Sequence, residues 1–74
     1  MAEQYVTVVR GEVLRAMREN KGLTVRELSK RSGVGRGTIA RLEGSSGVRT
    51  SVANLSAIAR TLGVALSRLK DAGT

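Results

Sequence analysis

Apolar residues recur at helical spacing in several separate stretches of this chain, and polar or glycine-bearing segments divide them. Val13, Leu14 and Met17 give one apolar face to a helix expected from about Gly11 to Asn20, which Lys21 and Gly22 end. Leu23 then enters the core. From Thr24 to Leu42 the pattern predicts two short helices joined by one tight turn. Thr24 with Glu27 three residues later is a capping box, in which hydroxyl and carboxylate each accept from a backbone donor that the helix start leaves unpaired. Leu28 is an apolar anchor and Ser29 a small neighbour, while Gly33 supplies the positive φ needed where the helix stops and the chain swings away. Val34 plugs the bend. The next helix, from about Gly35 to Leu42, puts Ile39 and Leu42 on one face and Arg36, Gly37, Thr38 and Arg41 on the other.

After Leu42 the stretch EGSSGVRTS reads as a loop by composition. A fourth helix starts at Thr50 or Ser51, spaces Val52, Leu55, Ile58, Ala59 and Leu62 along one face, and stops at Gly63. Leu66 and Leu69 mark a short fifth helix. The fold expected is all-α, with an N-terminal arm over residues 1–10, a five-helix domain over 11–70 and a tail over 71–74. Tyr5, Val6, Thr7, Val8 and Val9 favour extended backbone, yet no partner strand is visible in an otherwise helical chain. Three outcomes stay open: a strand paired with its twin in a dimer, an arm whose valines cover one end of the core, or a frayed approach to the first helix.

Composition narrows the chemistry. A chain of 74 residues makes one domain, which hides only about 60% of the surface its unfolded form exposes. With neither Cys nor His there is no disulfide or thiolate site, and most zinc geometries vanish. No metal or cofactor is expected. A single Asp and scattered glutamates offer no paired carboxylates, so an enzyme is disfavoured. No segment approaches the roughly 18 apolar residues of a membrane span, and the N-terminus lacks the form of a secretory signal, so a cytoplasmic location is expected.

The formal charge of +7 is carried mostly by arginine, whose planar fork suits phosphate and guanine. Position sharpens this. Between residues 24 and 49, Arg26, Lys30, Arg31, Arg36, Arg41 and Arg49 face only Glu27 and Glu43. Single-stranded RNA is disfavoured, because Tyr5 is the chain's one aromatic residue.

Leu28, Ser29, Gly33, Val34, Ile39 and Leu42, preceded by KGLT and followed by Glu43 and Gly44, resemble the phage repressor and Cro class of helix-turn-helix domains, known in bacteria as xenobiotic-response-element regulators. The resemblance runs from about Gly11 to Leu69 and includes the LGV of Leu62 to Val64. It implies sequence-specific binding of double-stranded DNA in transcription regulation, by a repressor or Cro-like switch protein acting as a homodimer on a palindromic operator. The start of the second helix, at Thr24, Val25 and Arg26, would grip a phosphate. Arg36 and Arg41 would contact guanine in the major groove, and Thr38 a phosphate or a thymine methyl. Ser45 and Arg49 would lie along the backbone of the duplex. Gly35 and Gly37 either permit close approach to the bases or are merely tolerated. An ion pair of Arg18 with Glu43 is implied as a structural element.

Two departures stand out. Val25 occupies a place where many members carry a phosphate-binding glutamine, and no proline stiffens the loop before the fourth helix. The expected dimer surface is the last helix with Val64, Leu66 and Leu69, with Val6 to Val9 as a further candidate; those leucines are alternatively internal. No small-molecule effector is expected. The rival reading is an antitoxin-like protein-binding module, against which only four residues follow the fifth helix.

Overall fold

The strand that lacked a visible partner finds one inside its own chain. In the computed structural model, which describes residues 6–45 and 47–71, five helices follow in order: α1 (Gly11–Asn20), α2 (Val25–Ser32), α3 (Arg36–Gly44), α4 (Val52–Leu62) and α5 (Leu66–Leu69). Two short strands, β1 (Val6–Val8) and β2 (Arg49–Ser51), complete the described elements, so the fold is all-α with a small two-stranded sheet. Tyr5, Ser46 and tail positions 72–74 lie outside the described residues, as do the expectations that fall on them.

β1 runs antiparallel to β2, with Val6 opposite Ser51, Thr7 opposite Thr50 and Val8 opposite Arg49. One expectation is thereby corrected, since the stretch read as loop ends in a strand, and of the three outcomes left open for the first residues, β1 takes a partner within its own chain. Side-chain alternation explains the pairing, since Val9 is 1% and Thr50 7% exposed while Val6 is 58% exposed and Arg49 lies in solvent. The segment is therefore also the cover over one end of the core. Further bonds anchor it: Val9 N–H donates to the Val48 carbonyl at 2.9 Å, Arg10 N–H to that of Leu69 at 2.8 Å, and Asp71 N–H to that of Val8 at 2.8 Å.

Leu14, Leu28, Ile39, Leu42, Leu55, Ile58 and Leu69 are fully buried, and Val9, Leu23, Val34, Ala59 and Leu62 surround them. Every helix thus contributes to one core. Leu69 is internal and removed from the expected dimer surface, whereas Val64 and Leu66 are only partly buried against that core.

Local chemistry sets the helix limits. At α2 the Thr24 hydroxyl accepts from Glu27 N–H at 3.0 Å, and a Glu27 carboxylate oxygen accepts from Thr24 N–H at 2.8 Å. The bonds from Thr24 hold the Glu27 carboxyl below its ordinary pKa. Their stabilising effect is therefore present above the usual carboxylate range and lost as pH falls through the depressed value. Leu23 and Leu28, at the positions of a hydrophobic staple, are both buried. Gly33 ends α2 at φ 80°, its N–H bonded to the Ser29 carbonyl at 2.9 Å. α3 runs on through Gly44 rather than stopping at Leu42. α4 starts at Val52 because Ser51 is its cap, accepting from Asn54 N–H at 3.0 Å, while Thr50 belongs to β2.

Candidate nucleic-acid interface

α3 packs against α1 and α2 and turns its remaining face outward. Arg36, Gly37, Ala40, Arg41 and Gly44 are exposed, while Ile39 and Leu42 are fully buried. At 3.6 residues per turn these exposed positions form one continuous strip about 140° wide, with Arg36 and Arg41 at its margins. Neither arginine makes a hydrogen bond or ion pair among the described residues, where the ion pairs are Arg15–Glu19 and Arg18–Glu43. Thr38, expected on this strip, is half-buried at its edge, and Ala40 takes the exposed place.

Two contacts fix the angle at which α3 is held, and both come from one stripe of α1. Gly11, Leu14 and Arg18 recur at i, i+3 and i+7, so they share a face. At its far end Arg18 forks onto Glu43, with Nε 2.7 Å from one carboxylate oxygen and Nη2 2.9 Å from the other, while Nη1 donates to the Leu23 carbonyl at 2.7 Å. The two side chains are only 12% and 7% exposed. The paired bond from Glu43 raises the already high pKa of Arg18, which stays charged throughout the physiological range. One guanidinium thus ties the end of α1 to the last turn of α3 and to the residue before the α2 cap.

At the other end of the stripe Gly11 is buried, and a Cβ placed there would collide with the Leu42 carbonyl oxygen and sit 2.9 Å from that of Ser45. Only glycine lets α1 start this close to the end of α3. In the sequence Gly11 marks only a helix boundary, and its place on the Leu14–Arg18 stripe is the one signal of this role.

Gly37 contrasts with it. Nothing lies within 4 Å of a Cβ built there, and its φ is not positive, so the fold itself does not require glycine. Gly35, the N-cap of α3, offers no side-chain acceptor, and the first-turn amides of the helix stay uncapped.

At the start of α2, the capping box already uses the amides of Thr24 and Glu27. Those of Val25 and Arg26 are left as donors without a helical acceptor. The Val25 side chain packs against the core, while Arg26, Lys30 and Arg31 are exposed. Ser45 and Arg49 flank the α3–α4 connection and are likewise exposed.

A concavity of about 370 Å³ opens at the sheet, lined by Val6, Thr7, Val8, Arg49 and Asp71. No residue of α3 lines it. The exposed basic residues of α3 lie outside it. Among the described residues no three Asp or Glu side chains gather to hold a metal ion, and no helix is long and apolar enough to cross a membrane.

No curated protein matches the chain significantly. A family model described as helix-turn-helix matches residues 14–69, about three-quarters of the sequence. With the capped α2, the glycine turn at Gly33 and the exposed basic strip of α3 all inside the matched span, the chain belongs to the helix-turn-helix family of phage repressor and Cro type, a family of DNA-binding transcription regulators.

Proposed function

We propose that this protein binds double-stranded DNA sequence-specifically through the open face of α3, and regulates transcription as a repressor or Cro-like switch in the form of a homodimer on a palindromic operator. The observation that carries the reading is the pair Arg36 and Arg41, set at the two margins of one exposed strip, their side chains engaged in no ion pair among the described residues. A planar guanidinium bonds bidentately to guanine in the major groove, each such contact giving about 1–3 kcal/mol of discrimination. The open amides of Val25 and Arg26, with the side chains of Arg26, Ser45 and Arg49, supply phosphate contacts that fix register. A domain seated this way hinders transcription by occupancy, which favours repression.

One module of this size makes few base contacts, so two copies are needed for tight specific binding. The partly buried Val64 and Leu66 remain the proposed contact between copies.

Enrichment of bound fragments from random duplex DNA tests the reading. A motif containing guanines, in two symmetric halves about one turn apart, is expected. On that motif Arg41→Ala should relax base preference at one position per half-site, whereas Arg49→Ala should weaken binding to all sequences and lower the salt slope by about one. Absence of any motif, or identical behaviour of the two variants, would overturn the assignment.

Gly37→Ala separates stability from binding. Because the site is open and helical, alanine should stabilise the fold by up to about 1 kcal/mol. If the Gly37 backbone lies against the base edges, the added methyl should weaken DNA binding at the same time. A stabilised variant with unchanged affinity would mean the glycine is only tolerated.

A further inference from the structure

We propose that Ala40 is a specificity-determining residue that reads a thymine methyl group lying between the bases contacted by Arg36 and Arg41. The inference rests on the DNA-binding reading above and deepens it.

Ala40 is exposed and sits one turn beyond Arg36 and one residue before Arg41, inside the strip that the two arginines border. Its companions within the strip, Gly37 and Gly44, have no side chain. Ala40 therefore presents the one side-chain carbon between two long cationic arms. The flanking glycines leave nothing that would hold the helix away from the base edges, so a short methyl can touch the floor of the groove while the arginines reach outward to either side.

The chemistry of that methyl limits what it can read. Alanine neither donates nor accepts a hydrogen bond, and the apolar group on the major-groove edge of the bases is the C5-methyl of thymine. Thr38, the residue first expected to make such a contact, is half-buried and stands off the strip. A half-site carrying thymine between the two arginine-contacted bases follows.

Deoxyuridine tests this, because it differs from thymidine only by the methyl. Each thymine of the enriched motif is replaced in turn by deoxyuridine, and affinity is measured for the wild-type protein and for Ala40→Gly. Comparing two duplexes on one protein cancels any change in the folded fraction that the glycine causes. The expected result is an approximately fourfold loss at one thymine per half-site for the wild type, the equivalent of one buried methyl group. Ala40→Gly is expected to bind the two duplexes equally. Insensitivity at every thymine overturns the proposal, as does an unchanged ratio in Ala40→Gly, which would assign the methyl to another residue. Failure to enrich any motif would overturn the parent reading and this one together; a motif whose thymines all tolerate deoxyuridine would overturn this one alone.

Discussion

Glu43→Ala should cost about 3–5 kcal/mol of stability, the range for removing one partner of a buried pair and stranding the other charge. The reason is geometric. Arg18 gives two of its bonds to Glu43 and a third to the Leu23 carbonyl, in a site where the two side chains are 12% and 7% exposed. Without Glu43, the guanidinium keeps the carbonyl but loses its counter-charge, and α1 cannot swing it into water without opening its contact with α3. At about 0.05–0.15 kcal/mol per residue, a chain of 74 residues has only about 4–11 kcal/mol in total, so Glu43→Ala should lose a large share of its stability and, at the low end of that range, unfold at 25 °C. Urea denaturation followed by circular dichroism measures this. Replacing both partners, Arg18→Met with Glu43→Leu, should recover most of the loss, because it removes the unpaired charge along with the pair. A loss below about 1 kcal/mol for Glu43→Ala would place the pair with weak surface contacts instead.

Gly11→Ala should be the next most damaging change, at about 1–3 kcal/mol or more, as for other overpacked positions. The added carbon would meet two backbone carbonyl oxygens, those of Leu42 and Ser45, and backbone cannot turn aside as a side chain can. α1 must then lift from the end of α3, which tilts the strip that carries Arg36 and Arg41. Thermal denaturation should register a fall of about 4–8 °C per kcal/mol for a domain of this size. DNA affinity measured well below the transition should fall as well. An unchanged melting temperature would show that α1 and α3 adjust at no cost. The contrast with Gly37→Ala is informative, since the same substitution in the neighbouring helix is expected to stabilise.

What the sequence disclosed follows from how local each cause is. The Thr24–Glu27 box, the positive φ of Gly33 and the apolar spacing of α4 depend on residues within a turn or two of one another, and all were legible. β2 was not. Its residues Arg49, Thr50 and Ser51 carry no strand alternation of their own and become a strand only when Val6–Val8 is laid beside them. The role of Gly11 was hidden likewise, because an absent side chain matters only once the carbonyls of Leu42 and Ser45 are in place. The pair of Arg18 with Glu43, 25 residues apart, was reached through family likeness and by no rule of spacing. On α3 the arginines were readable from helical periodicity, but the edge of the strip was misjudged: Thr38 packs partly inward and Ala40 faces out.

The guanidinium groups of Arg36 and Arg41 are proposed to reach guanine through the major groove. Substituting 7-deazaguanine, which lacks the N7 acceptor on that edge, at each guanine of the enriched site tests for that contact. The wild-type protein should lose affinity at the guanines it reads, by an amount within the 1–3 kcal/mol expected of such a contact. Arg36→Ala and Arg41→Ala should each become insensitive at a different one of them. Equal affinity of the wild type for every substituted duplex would contradict the claim.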